Sequence, residues 1–264
     1  MEQLSCLMRK LERVVRQIDR NTAVVPLPFA SWSENNVSLR RGEVSMIAGP
    51  PGAGKSTLAL AIALRSQVPT LYASRDSHES TMALRLISMI GDLPQLEVEQ
   101  HMQNQQWASE MISSQGKHIS WMMDSNPAIA DLEDQIELYR LLKGSDPQLV
   151  ILDNAVDFTH DTGDEFSSLR SLMREIKWWS RDTGAAFLVL HHTSEAAESN
   201  PCPPRSALHG KIAQIPSMIM TIAPAPHYMM MCAVKNRYGP ADPSGRKAFY
   251  MEYDPARMLI RDAK

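Results

Sequence analysis

Gly49-Pro50-Pro51-Gly52-Ala53-Gly54-Lys55-Ser56-Thr57 follows the apolar run Val44–Ala48 and opens the Ala/Leu-rich stretch Ser56–Arg65. A G-x-x-x-x-G-K-[ST] pattern between a strand and a helix is the arrangement that wraps a phosphate. Its glycines let backbone amides approach the anion, and the helix N-terminus adds positive potential. Lys55 is expected at the β- and γ-phosphates, and the Ser56 hydroxyl at Mg²⁺. The stretch therefore predicts a bound nucleoside triphosphate, with residues Gly49 through Thr57 as its cradle.

Such a loop needs an acidic partner on a neighbouring strand to hold the metal's water shell. Leu149-Val150-Ile151-Leu152-Asp153 supplies four apolar residues ending in a carboxylate. Asp157 follows the strand rather than closing it, so Asp153 joins Ser56 as a metal-site candidate. Hydrolysis also needs a base or a water-positioning group. Leu71-Tyr72-Ala73-Ser74-Arg75-Asp76 ends a second strand in Asp76, the candidate, whose competing reading is a helix-initiating residue. Glu79 is expected to cap the helix that follows. Phe187-Leu188-Val189-Leu190-His191-His192 ends a further strand in two imidazoles that point to opposite faces, a poor chelating pair but a source for one γ-phosphate sensor. Lys235 and Arg237 alternate along the end of an apolar strand, before Gly239-Pro240, and present two cations on one face.

Outward from these motifs, strands and helices alternate. Strands are expected at Val44–Ala48, Thr70–Ser74, His118–Met123, Leu149–Leu152 and Phe187–Leu190. Helices are expected at Ser56–Arg65, Ser80–Ile90, Ile129–Leu142 and Phe166–Arg181. The last third reads as antiparallel additions, with Tyr228–Val234, Lys247–Tyr253 and Met258–Ile260. The fold class is thus α/β, a mostly parallel twisted sheet flanked by helices. At the N-terminus, Leu4, Leu7, Met8, Leu11, Val14, Val15 and Ile18 form one apolar stripe at helical spacing. The proline-containing connector Val24–Phe29 sets this helix apart, which gives an N-terminal oligomerisation segment over 1–22 and one catalytic domain over 23–264.

Composition narrows the class. The 264 residues are 44% hydrophobic and 22% charged, which excludes a disordered or collagen-like chain. A net charge of −3 provides no global field for nucleic acid, so any such contact is local. Cys6, Cys202 and Cys232 are scattered and odd in number, as expected in a reducing cytoplasm. Ile212–Val234 carries no Asp, Glu, Lys or Arg, yet Pro216, Pro224 and Pro226 interrupt it. It reads as two strands, Ser217–Ala223 and Tyr228–Val234, joined by a turn at Ala223–Pro226, not as a membrane span.

Together these residues resemble the RecA-like motor domain of DnaB-type hexameric replicative helicases and the related RepA-type ATPases, over nearly the whole chain after Val25. Ser74-Arg75-Asp76 stands where that family has Ser-Leu-Glu, so Asp76 replaces a glutamate with a side chain one methylene shorter. Asp153 falls on the metal-linked aspartate and His191 on the γ-phosphate-sensing glutamine. Gln106–Ala108 and Ile119–Pro127 resemble the approach to the next strand and helix. Ser206–Ile219 resembles the DNA-facing loop, and Lys235-Asn236-Arg237-Tyr238-Gly239-Pro240 the hairpin whose cations act on an adjacent subunit's nucleotide. Met1–Arg20 resembles a linker helix that docks on a neighbour.

The resemblance implies an ATP- and Mg²⁺-dependent ATPase acting as a helicase on single-stranded or forked DNA, in replication or recombination, as a homo-oligomer and a hexameric ring. Lys55, Asp76, Asp153, His191, Lys235 and Arg237 would be its catalytic set, with Arg205, His209 and Lys211 on DNA phosphates. The acidic stretch Asp157–Glu165 speaks for a different class, a recombination or repair protein on the same fold with metal-dependent nuclease activity. A regulatory ATPase that binds no DNA is the third reading.

Overall fold

Val44–Gly49 (β1) is apolar along most of its length because both of its faces are covered, every residue of it being buried. The computed structural model describes residues 24–75, 77–123, 129–158, 165–193 and 200–263, and of residues 129–130, 156–157, 165–166 and 209–211 the backbone alone. After a short helix at Ala30–Glu34 (α1) and β1 come Lys55–Ser66 (α2), Thr70–Ser74 (β2), Glu79–Gly91 (α3), Gln95–His101 (α4), Gln105–Gln115 (α5) and Ile119–Met122 (β3). Ile129–Lys143 (α6), Leu149–Asp153 (β4), Glu165–Thr183 (α7) and Ala186–His192 (β5) follow. Met218–Ala225 (β6), Tyr228–Asn236 (β7), Phe249–Asp254 (β8) and Leu259–Asp262 (β9) complete the described elements.

They form one nine-stranded sheet in the order β3-β2-β4-β5-β1-β6-β7-β8-β9. Pairing is parallel from β3 through β6 and antiparallel from β6 to β9. The period of two sends successive side chains to opposite faces. Ile47, Tyr72, Ile151 and Leu188 pack under α2 and α3, while Met46, Leu71, Val150 and Val189 pack with Leu132 and Ile136 of α6 and Leu172 and Ile176 of α7. All five parallel strands expected from the sequence lie within a residue or two of their observed bounds.

Two expectations are corrected. Val24–Phe29 is no free connector: Val25 donates to the Leu39 carbonyl at 2.8 Å, and Val25, Phe29 and Trp32 are buried in the core. The Asp262 carboxylate accepts from the Ala30 and Ser31 amides at 2.8 and 2.9 Å, which fixes α1 to the last strand. The β6–β7 turn lies later than Ala223–Pro226, since Pro224 and Ala225 still pair with Met229 and Tyr228. Pro224 is accommodated because β6 pairs with β1 only as far as Thr221, and beyond that point its outer edge demands no donor. Helices α4 and α5 were not anticipated. No residue of α5 is fully buried, so it has no strong apolar stripe to read. The N-terminal stripe of residues 4–18 lies outside the described residues, as do Asp76, Asp161 and Asp164.

After β7 the chain turns on Asp242, which accepts from the Ser244 hydroxyl at 2.6 Å and from the Arg246 and Lys247 amides at 2.9 and 2.7 Å. These donors, the Ser244 hydroxyl foremost, hold its carboxyl down at about 2 against an ordinary 3.8. A depressed carboxylate stabilises the fold above its unfolded value and loses that contribution as pH falls through the folded one. Asp242→Ala should therefore be less stable than the wild type in urea melts at pH 7, and the gap should close between pH 3.8 and about 2.

Candidate nucleotide site

The phosphate loop leaves the C-terminal end of β1 and enters α2 through Gly54, whose φ of +87° lies in the left-handed region that glycine adopts without penalty. A Cβ there would stand 2.6 Å from Met229 Cε and 3.1 Å from the Tyr253 hydroxyl. The antiparallel extension thus presses on the loop from one side. A cleft of about 840 Å³ opens beside it, bordered by Gly52, Pro226, Tyr253, Pro255 and Arg261.

Lys55 is buried, and its ammonium donates to the Gly49 and Pro50 carbonyls at 3.1 and 3.0 Å and to His192 Nδ1 at 3.2 Å. Burial pulls its pKa down to about 8, against the pull of Asp153 in the other direction. Asp153, 2% exposed, ends β4 beside it. Ser56 Oγ donates to Asp153 Oδ1 at 3.1 Å, and the Tyr72 hydroxyl donates to Oδ2 at 2.9 Å. Burial raises the Asp153 pKa, and the two hydroxyls, Arg85 and Lys55 oppose that rise. Two hard oxygen donors beside a phosphate loop suit Mg²⁺. Ser56 would hold it and Asp153 its water shell, and the ion would supply charge to offset the phosphates.

Parallel strands bring these groups together because β1, β2, β4 and β5 all end at the same edge. The sequence resemblance falls on His191, but the imidazole against Lys55 is that of His192. His191 pairs in register with Ala48 and is buried, while His192 pairs with Gly49, where the loop begins. Asp76, the expected base, lies outside the described residues. Glu79 is the first residue of α3 rather than its cap. His78 caps that helix, its Nδ1 accepting from the Ser80 amide at 3.3 Å.

Lys235 and Arg237 lie at the other end of the sheet. The Arg237 amide donates to the Ser217 carbonyl and the Ser217 amide to that of Val44, the first residue of β1. Five residues of strand at about 3.3 Å each separate Val44 from Gly49, so Arg237 stands about 16 Å along the sheet from its own phosphate loop. Its guanidinium turns to Glu43 at 3.8 Å. The expectation of one shared strand face is corrected: β7 ends at Asn236, and Arg237 belongs to the turn beyond it. Lys235 instead donates to the Ala213 and Gln214 carbonyls at 2.7 and 2.9 Å. Burial, then Arg237, Arg205 and Lys177, pull its pKa down to about 8. Arg205 is exposed on the rim of a cleft of about 630 Å³ that Lys235 and Gln214 also line. The backbone of residues 209–211 forms a 3₁₀ turn, and the side chains of His209 and Lys211 lie outside the described part. Tyr72 and Tyr253 escaped the sequence reading, which singled out the His191-His192 pair as the source of one sensor and, by resemblance alone, favoured His191.

Residues 18–198 match the AAA domain family. The Gene 65 protein of Mycobacterium phage L5 is 31% identical over 255 residues, 92% of this chain and 95% of that protein. The replicative DNA helicase DnaB of Leifsonia xyli is 28% identical over 146 residues, 51% of this chain and 31% of that protein. Among solved structures, an isolated ATPase domain superposes with a TM-score of 0.82 at 14% identity, covering 99% of both chains. A DnaB-like replicative helicase superposes with a TM-score of 0.79 at 15% identity, covering 97% of this chain and 66% of that one. The fold is therefore the RecA-like fold of DnaB-type helicase motor domains.

Gly54→Ala should strain the loop against Met229 and Tyr253 and cost about 1–2 kcal/mol for the left-handed backbone. Urea melts should report that loss, and titration with a fluorescent ATP analogue should show weakened binding.

Proposed function

The chain belongs to the AAA domain family, and from that premise we propose that it is an ATP- and Mg²⁺-dependent motor of the DnaB-helicase type. On this reading it works in the cytoplasm on single-stranded or forked DNA, as a homo-oligomeric, hexameric ring. The observation that carries the reading is the separation between the two halves of the catalytic set. Lys55, Ser56, Asp153 and His192 gather at one end of β1, and Lys235 and Arg237 at the other. A guanidinium that cannot reach its own nucleotide is of use to the nucleotide of the next subunit, and only an assembly in which one subunit's Arg237 end faces another's phosphate loop supplies that. No helix among the described residues is long and apolar enough to cross a membrane.

In the proposed reaction Lys55 and the loop amides hold the β- and γ-phosphates, while Ser56 and Asp153 serve the metal. Asp76 orients or deprotonates the attacking water, a role commonly worth about 10²–10⁴-fold. His192, hydrogen-bonded to Lys55, is placed to sense loss of the γ-phosphate better than the buried His191. Arg237 from the neighbour offsets charge developing on the transferred phosphoryl group, an effect of about 10³–10⁵. Arg205, His209 and Lys211 take DNA phosphates.

Lys55→Ala should fold normally, by circular dichroism, and hydrolyse no ATP. Arg237→Ala should bind ATP yet turn it over about 10³-fold or more slowly. Mixing the two inactive variants under subunit exchange should restore ATPase activity, at interfaces where an intact Lys55 faces an intact Arg237. Full activity of Arg237→Ala alone would remove the trans role. A labelled forked duplex incubated with Mg²⁺, with and without ATP, distinguishes the motor from the nuclease: ATP-dependent strand separation is expected, and ATP-independent cleavage is the contrary result.

Residues 1–22 are proposed to tie subunits together through their apolar stripe. Deleting Met1–Arg20 should shrink the particle measured by light scattering, and an unchanged ring would place the stripe on its own domain.

A further inference from the structure

Tyr72 sits in the middle of β2 with no exposed surface, its ring against Trp121 at a centroid distance of 5.2 Å. A phenylalanine would fill the same apolar space without bringing a polar atom into the core, so packing gives no reason for the hydroxyl. The hydroxyl instead reaches across to the next strand and donates to Asp153 Oδ2 at 2.9 Å, while Ser56 Oγ donates to Oδ1 at 3.1 Å. A carboxylate held by one donor can still rotate about its Cβ–Cγ bond and exchange its two oxygens. One held on both oxygens, from β2 and from α2, cannot. The phenol therefore fixes the plane of the Asp153 carboxylate, and with it the direction in which the remaining lone pairs of the oxygen beside Ser56 point.

We propose that Tyr72 is a positioning residue for the metal site: its hydroxyl locks the Asp153 carboxylate so that Ser56 Oγ is preset for the Mg²⁺ of a bound Mg–nucleotide and the Asp153 oxygen beside it for that ion's water shell. The inference rests on the nucleotide reading of the site. Tyr72 itself touches neither metal nor nucleotide and acts only through Asp153. Outer partners of this kind commonly set metal affinity by about 10–100-fold.

The test compares four full-length proteins: wild type, Tyr72→Phe, Asp153→Asn and the double variant. A fluorescent ATP analogue is titrated over a series of Mg²⁺ concentrations and again in EDTA, with thermal melts confirming that each protein is folded. Tyr72→Phe is expected to raise the Mg²⁺ concentration for half-maximal binding by about tenfold or more, with metal-free binding unchanged. In the Asp153→Asn background the same substitution should add nothing, because two residues acting as one unit are not additive. A hydroxyl of merely structural value would lower the melting temperature and leave the Mg²⁺ dependence where it was, and that result overturns the inference while leaving the nucleotide reading intact. A wild type that binds no nucleotide with Mg²⁺ overturns both. Should Tyr72→Phe melt below the assay temperature, the same Mg²⁺ series is run on all four proteins below its melting point, where a raised Mg²⁺ requirement supports the inference and an unchanged one overturns it.

Discussion

A carboxylate taken out of water must find donors for both oxygens, and Asp153 is 2% exposed. Its donors come from two other elements, Ser56 at the start of α2 and Tyr72 in β2, each hydrogen bond to a charged group being worth about 1.5–3 kcal/mol. Breaking either would leave a buried charge under-satisfied. That one requirement ties β4 to the phosphate-loop helix and to the strand beyond, and it does so at the sheet edge where Lys55 lies.

The direction of the strands then sets what else can join. Because β1, β2, β4 and β5 run parallel, their C-terminal ends share one edge, the crevice where open α/β sheets take ligands. In the antiparallel extension β7 and β9 reverse this sense and β8 restores it. Their β6–β7 turn and the end of β8 come to the loop edge, where Met229 and Tyr253 press on Gly54. The far end of β7 carries Lys235 and, just past it, Arg237 to the opposite edge. The same extension therefore braces the phosphate loop and carries these two cations away from it, the separation that the proposed trans role of Arg237 requires.

Much of this was legible in the amino-acid order. The phosphate loop is a local object, since its glycines, lysine and hydroxyl lie within nine consecutive residues whose strand and helix flanks are equally local. Asp153 was legible because an apolar run ending in one carboxylate has few readings in a parallel sheet. The parallel strands were legible through continuous burial. Helices α4 and α5 were not, because half-buried helices carry little periodic contrast. Neither was the packing of Val25, Phe29 and Trp32, whose prolines read as a linker while their apolar side chains answered to the core.

Local sequence thus determined the fold class, the phosphate loop and the identity of its acidic partner, because each depends on residues adjacent in the chain or on a simple burial pattern. Only the tertiary structure decided which imidazole meets Lys55, which phenol holds Asp153 and at which end of the sheet Arg237 stands. Those facts turn on strand register and on hydrogen bonds between residues such as Tyr72 and Asp153, 81 positions apart in the chain. A one-residue shift in register sends a side chain to the opposite face, and neither composition nor spacing within one strand carries that information.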